Sequence, residues 1–447
     1  MNNEAITLPS YAQTALDILE QAGFEAYCVG GFVRDSLMGR PQGDIDIASS
    51  ATWEKAQGLF EAAGFKTFET GTKHGTITVL VESMPLEITT YRSEGSYSDR
   101  RHPDSVHFVD SIVEDLQRRD FTINAIAYHP ERGLFDPFDG QLDIERGIIR
   151  TVGQAEKRFT EDALRILRAL RFASQLGFSI EDRCLEAMLE HKGLLHFVAV
   201  ERIRHELDAF VCGKDIRKAL VSCVDILGEV IPQLLPMKGF DQKTPYHIFD
   251  VLEHSALCMH NTRPSLLVRW AAFFHDMGKP GAFFTDKAGI GHFYGHAEIS
   301  TEIALDTMER LRFPHALCHD IALLVRYHDV VFPATPKSVK RMLQKLEGRT
   351  GLFFALTELK RADASAQAPQ CANRVELARE LDEVLVSILE KREAFSLADL
   401  AINGHDLLAR GIAPGPLVGS LLERALDALI DEQVANEKPA LLDYLGL

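Results

Sequence analysis

A chain of 447 residues is too long for one hydrophobic core and implies two to four domains, and its 46% apolar and 25% charged content is that of an ordinary globular protein. The net charge of −17 argues against a non-specific coat on nucleic acid, yet it leaves room for an enzyme that grips RNA through a local basic surface. Seven scattered cysteines form no Cys-x-x-Cys pair, which argues for reduced thiols rather than a disulfide framework, and no uncharged apolar run approaches the ~18 residues needed to span a bilayer.

The opening MNNEAITLPS has no basic-then-apolar signal pattern, so a cytoplasmic location is expected. Residues 1–150 read as mixed α/β. A helix is expected to start near Ser10 as its N-cap, with Ala15, Leu16, Ile18 and Leu19 on the apolar face. A strand at 26–29, a Gly-Gly turn, a short helix over 33–38 and a strand at 44–48 follow. Segments 77–81 and 86–91 alternate like paired strands about a Ser83-Met84-Pro85 turn. From Gln154 onward helical periodicity runs almost to Leu447, with breaks at 232–245 and near Pro369. The expected fold class is α+β, a small mixed-sheet head (1–150) followed by all-helical regions at 151–232, 245–368 and 369–447.

Two places in the head carry chemistry. Gly30-Gly31 between strand and helix lets backbone N–H groups approach a polyphosphate at a positive helix end, and Arg34 adds a charged fork; taken alone, the pair is also an ordinary tight turn. In Asp44-Ile45-Asp46, strand alternation puts both carboxylates on one face and Ile45 in the core. Adjacent carboxylates repel unless divalent cations neutralise them, which makes Asp44 and Asp46 the expected ligands and catalytic groups of a two-metal phosphoryl-transfer site using Mg2+. Glu87, on the later strand, is either a third carboxylate of that site or a surface group.

These residues resemble the polymerase-beta-type nucleotidyltransferase head, and within it the bacterial CCA-adding enzymes. The likeness continues through Tyr91-Arg92-Ser93-Glu94-Gly95-Ser96-Tyr97-Ser98-Asp99 and Arg101-His102-Pro103-Asp104, and is strongest in Arg118-Arg119-Asp120-Phe121-Thr122-Ile123-Asn124-Ala125. The resemblance implies that Arg119 contacts the nucleotide and that Asp120 and Asn124 sense its ribose.

Residues 161–171 form an amphipathic pattern with Ala163, Leu164, Ile166, Leu167 and Leu170 on one side. Asp162, Arg165 and Arg168 make a polar stripe on the other, with Arg171 at its border. An Asp–Arg pair at (i, i+3) is usually a surface ion pair. Cytosine and adenine, however, both present an exocyclic amine beside an unprotonated ring nitrogen; a carboxylate accepts from the first while a guanidinium donates to the second. Uracil and guanine mismatch both groups, and each buried mismatch costs about 1–3 kcal/mol. This segment resembles the family's base-reading motif, with Asp162 and Arg165 at the matching positions and Arg168 and Arg171 at those of further nucleotide contacts.

Among the 17 histidines, His254, then His275-Asp276, then Asp363 fall in an order that resembles the HD metal-dependent phosphohydrolases. The resemblance makes these four the core ligands of a second metal, with His296 and His328 matching the extra histidines of two-metal members. Imidazole and carboxylate ligands suit a transition metal or magnesium, and the absence of a thiolate disfavours structural zinc. Near the end, Gly404-His405-Asp406-Leu407, Gly411, Pro414-Gly415-Pro416 and Asn436 again resemble the CCA-adding enzymes, whose body and tail helices bind the tRNA elbow. The likeness thus covers 20–230 and 395–447, with the HD segment between. It implies addition of CMP, CMP and AMP to the tRNA 3′ end from CTP and ATP, with phosphohydrolysis as a second activity. The alternatives are a poly(A) polymerase, an A-adding partial enzyme, or chiefly a phosphohydrolase.

Overall fold

The computed structural model describes residues 6–41, 43–95 and 105–447. The loop motif at 96–104 lies outside the described residues. The chain divides into two compact units: Met1–Asp215 with Asp225–Val230, and Ile216–Val224 with Ile231–Leu447.

In the first unit, α1 (Ser10–Gln21) buries Ala12, Ala15, Leu16 and Leu19. Pro9, not Ser10, is its N-cap, and the Ser10 hydroxyl instead donates to Glu82 at 2.6 Å. Then come β1 (Ala26–Val29), α2 (Gly31–Leu37), β2 (Asp46–Ser49), α3 (Trp53–Ala62), β3 (Lys66–Gly71), β4 (Thr76–Val81) and β5 (Met84–Thr90). A short pair, β6 (Arg92–Glu94) and β7 (Val106–Phe108), precedes α4 (Ile112–Gln117), β8 (Ala127–His129) and β9 (Gly133–Phe135). Seven strands form one sheet in the order β3-β4-β5-β2-β1-β8-β9, with β2 and β5 parallel and the other neighbours antiparallel. The β4–β5 turn is Glu82-Ser83, one residue earlier than the sequence pattern indicates: Met84 already pairs with Val81, and both turn residues have positive φ (53° and 68°). Such turns match the right-handed twist of a hairpin, so the twist outweighs the Pro signal. Tyr27, Val29, Ala48, Tyr91, Leu116 and Ala127 share a buried cluster on one side of this sheet.

Helices follow: α5 (Gly140–Arg146), α6 (Ala155–Glu161), α7 (Leu164–Leu176), α8 (Asp182–His191), α9 (Val200–Val211) and α10 (Ile216–Val230), whose residues Ile216–Val224 belong to the second unit, with β10 (Ile148–Ile149) and β11 (Ser179–Ile180) paired in parallel. The amphipathic pattern at 161–171 is not one helix. Asp162 is extended (φ −143°, ψ 104°), and its Oδ1 accepts from the Leu164 amide at 3.0 Å. An Asp side chain competes with the backbone for that donor, so it starts a helix better than it continues one. The five apolar residues assigned to one side are all buried, as expected.

The second unit is helical apart from one hairpin. Its elements are α11 (Val251–Asn261), α12 (Leu266–Phe274), α13 (Lys279–Ala282), β12 (Phe284–Thr285), β13 (Gly291–His292), α14 (His296–Arg310), α15 (His315–Tyr327), α16 (Pro336–Lys345), α17 (Thr350–Ser365), α18 (Ala372–Glu390), α19 (Gly404–Ala409), α20 (Pro416–Ile430) and α21 (Lys438–Leu445). Asp250 caps α11 by accepting from the Glu253 amide at 2.7 Å. The last three helices close on Leu407, Ala425, Ile430 and Leu441. All seven cysteines are free, and among the described residues no helix is long and apolar enough to cross a membrane.

Candidate active site and a second ligand cluster

A cavity of about 620 Å³ in the first unit collects most of the expected nucleotide residues: Gly30, Gly31, Arg34, Asp46, Arg119, Asp120, Asn124, Asp162, Arg165, Arg168 and Arg171. Gly30 links β1 to α2 with φ 76°, and a Cβ there would lie 3.1 Å from the Arg119 guanidinium. The glycine is needed both for the left-handed turn and for the space Arg119 takes.

Strand register sets the carboxylates. Asp46 opens β2 opposite Val29, with Glu87 of β5 beside it in parallel register. Asp44 is exposed just before the strand. Burial and the charges of Glu87 and Asp44 push the Asp46 carboxyl up to about 6, against the opposing pull of Arg119. Repulsion of this kind on Asp46 is relieved by a divalent cation.

A chain of buried contacts holds the arginines. Arg34 donates to Asn124 Oδ1 at 2.6 Å, Asn124 donates to Asp120 Oδ1 at 3.2 Å, and Arg168 Nε donates to Asp120 Oδ2 at 2.7 Å. Burial opposes ionisation of Asp120, but Arg168 and the Asn124 hydrogen bond hold its carboxyl down at about 2. Glu206, 4% exposed on α9, lies 3.1 Å from Arg171 Nε and 3.9 Å from Arg168 Nη1. The guanidinium groups of Arg34, Arg168 and Arg171 stand over the Phe172 ring at 5.1, 5.7 and 4.5 Å. Asp120 and Asn124 therefore tie arginines in place at the cavity wall.

Asp162 and Arg165 both line the cavity, and their side chains are held by different partners. Arg202 Nη2 donates to Asp162 Oδ2 at 2.7 Å. Arg165 donates to Glu161 at 2.6 Å and to the carbonyls of Arg158 and Arg118 at 3.1 and 3.2 Å. Each member of the pair is thus oriented by a separate partner. Arg202 and Glu206 lie outside the 161–171 segment; their signal is an Arg–Glu spacing of four in Glu201-Arg202-Ile203-Arg204-His205-Glu206, which puts both groups on one face of α9, while Glu161 stands four residues before Arg165 within the segment.

The second unit brings His254, His275 and Asp276 together as one set of potential ligands, and Asp276, His296 and His328 as another. Asp276 Oδ2 is 3.3 Å from His254 Nε2, 3.2 Å from His275 Nε2 and 2.7 Å from Lys279 Nζ, while Asp363 Oδ1 is 3.0 Å from His254 Nε2. The Nε2 atoms of His254 and His275 are buried and face these carboxylates without the alignment of a hydrogen bond. Such nitrogens converging on a carboxylate fit a metal ion, and the Nδ1 atom of His275 is already fixed 2.7 Å from the Ala272 carbonyl. His247, which the sequence pattern did not single out, packs 5.0 Å from the His254 ring.

Three family descriptions match parts of the chain: the poly A polymerase head domain over residues 26–150, a probable RNA-binding region of polymerase A over 177–225, and a second tRNA nucleotidyltransferase domain over 339–445. The chain is 34% identical over 441 residues to the CCA-adding enzyme of Lactiplantibacillus plantarum, covering 98% of this chain and 96% of that one. It is 35% identical over 451 residues to that of Lactobacillus delbrueckii subsp. bulgaricus, covering both chains in full. A crystal structure of the Bacillus stearothermophilus CCA-adding enzyme in complex with CTP superposes with a TM-score of 0.73 at 30% identity, covering 98% of each chain.

Proposed function

The chain belongs to the CCA-adding enzyme family, and from that premise we propose that it builds CCA on the tRNA 3′ end from CTP and ATP, with its own side chains in place of a template. The observation that carries this is the single cavity that places Asp162 and Arg165 with Gly31, Arg34, Asp46 and Arg119. Divalent metal, expected to be magnesium, would be held by Asp44 and Asp46 and would neutralise charge at the attacked phosphate. The N–H groups at the start of α2, with Arg34 and Arg119, bind the triphosphate and oppose the charge that builds on departing pyrophosphate. Asp162 accepts from the exocyclic amine and Arg165 donates to the ring nitrogen, so C and A share one reading pair. Arg168 and Arg171, fixed by Asp120 and Glu206, close the nucleotide site. The helical neck and tail supply the tRNA-binding surface, and the cytoplasm is the place of work. The test is to sequence products from tRNA lacking CCA after incubation with CTP and ATP, together and separately. Products ending in CCA only with both nucleotides support the reading; long adenosine tracts would make the chain a poly(A) polymerase.

A second activity rests on the buried His254 and His275 nitrogens. His254, His275, Asp276 and Asp363 would hold a metal for hydrolysis of phosphate esters, with His296 and His328 available to a second ion. Metal content after dialysis, with release of phosphate from model monoesters, tests it; a chain that takes up no metal would end it.

A further inference from the structure

Beside the second cluster lies a cavity of about 390 Å³, lined by Asp276, His296 and His328 and also by Lys279, His292 and Tyr294. Its wall carries an aromatic group that no part of the chemistry above uses. The rings of His292 and Tyr294 stack at 5.5 Å and 19°, and those of Phe284 and His292 at 5.3 Å and 26°. Phe284 and His292 are cross-strand partners in the β12–β13 hairpin. Tyr294 is 77% exposed and Phe284 46%. Single exposed aromatics need no explanation, but a cluster of three rings, two of which (His292 and Tyr294) line a polar cavity, does.

The platform is held in shape. Asp286 fixes the His292 ring by its edge, with 3.0 Å between Oδ2 and Nε2. The Gly291 amide donates to the Lys243 carbonyl at 2.7 Å, and a Cβ on Gly291 would come within 2.2 Å of the Gln242 carbonyl oxygen. Tyr294 precedes His296 by two residues, so their backbones are separated by no more than about 7 Å. Both side chains line the one cavity. The same cavity is lined by the cations Lys279, Arg326 and Arg374. Flat rings for a base, cations for a phosphate and a ligand cluster at the ester form one set of complementary groups.

We propose that Phe284, His292 and Tyr294 form a stacking platform for the base of a nucleotide whose phosphate ester reaches the Asp276 cluster. The inference rests on the phosphohydrolase reading and adds to it the groups that would hold the base of a nucleotide substrate. Hydrolysis would break the ester P–O bond, with water giving its hydroxyl to phosphorus and a proton to the departing nucleoside alcohol.

The test uses full-length protein labelled with 3-fluorotyrosine, in which the Tyr294 line among nine tyrosines is assigned by its loss in Tyr294→Phe. Metal-free protein is titrated with AMP, with a short RNA bearing a 3′-phosphate, and with ribose 5-phosphate, which lacks a base. AMP or the RNA end should shift the Tyr294 resonance saturably, and whichever binds at lower concentration identifies a free nucleotide or an RNA terminus as the source. Ribose 5-phosphate should need about 5- to 150-fold more, the usual worth of one stacked base. His292→Ala should weaken the AMP response by a similar factor and leave ribose 5-phosphate unchanged; Phe284→Leu repeats the test should the first variant not fold. Equal responses with and without a base, or a silent Tyr294 line, would overturn the platform. Metal uptake measured on the same samples separates the two ideas. A silent line in protein that binds metal removes the platform alone, whereas a base-dependent shift in protein that takes up no metal keeps the platform and removes the hydrolase.

Discussion

Replacing Asp162 by Asn changes the proposed reading pair and also takes away the carboxylate oxygen that accepts from Arg202. Asp162 Oδ1 accepts from the Leu164 amide at 3.0 Å and Oδ2 accepts from Arg202 at 2.7 Å. The amide oxygen of Asn can keep the Leu164 contact, which starts α7; the NH2 group then stands where Oδ2 stood. There it faces the amine of cytosine donor to donor, but it can donate to the carbonyl of uracil. CTP should lose a charge-assisted hydrogen bond of about 1.5–3 kcal/mol, and UTP should gain a neutral one of about 0.5–1.5 kcal/mol. The ratio of kcat/KM for CTP over UTP should therefore fall by about 30- to 2,000-fold, at 1.36 kcal/mol per tenfold. The assay is single-nucleotide addition to tRNA lacking CCA, with each nucleotide varied at fixed magnesium and a melting curve confirming the fold. A CTP/UTP ratio within threefold of the parent would refute template replacement by Asp162, and the Arg202 contact would then be only an ion pair.

Asp46→Ala, and Asp44→Ala with it, should lower the rate of nucleotide addition by several powers of ten at saturating magnesium, because the remaining carboxylates cannot hold the metal charge; near-normal turnover would take the carboxylate out of the mechanism. His275→Ala with Asp276→Ala should abolish metal uptake and monoester hydrolysis while CCA addition survives, and loss of CCA addition in a folded double variant would contradict separate sites. Asp120, held at about 2 against an ordinary 3.8, contributes stability that is fully present above pH ~4 and is lost as pH falls toward 2. The shift corresponds to about 2–3 kcal/mol in order of magnitude. Asp120→Asn should flatten the acid limb of a stability–pH curve, and superimposable limbs for the two proteins would show that the carboxylate is not the group responsible.

Much of this molecule is written in local pattern. The strand at Ala26–Val29 and the glycine turn before α2 follow from side-chain period and backbone freedom, which act over a few residues, whereas the strand expected from Asp44 begins only at Asp46, with Ile45 buried ahead of it. The octet 118–125 and the order His254, His275-Asp276, Asp363 were likewise readable, because motif spacing survives without knowledge of the fold. What sequence could not supply is which distant groups meet. Periodicity assigned Asp162 to the helix it interrupts, since its capping of Leu164 competes with helical continuity only weakly in the local pattern. Nothing local tells that Arg202, forty residues on, orients Asp162, or that Glu206 holds Arg171. Nor does local pattern show that Asp120 and Asn124 meet Arg168 and Arg34, contacts that only the packing supplies. Glu87 became a neighbour of Asp46 only through the parallel register of β2 and β5, strands separated by two others in sequence. Local propensity decides elements within a few residues, whereas charge pairing falls off over a few ångströms and is decided by whatever the fold brings within that range.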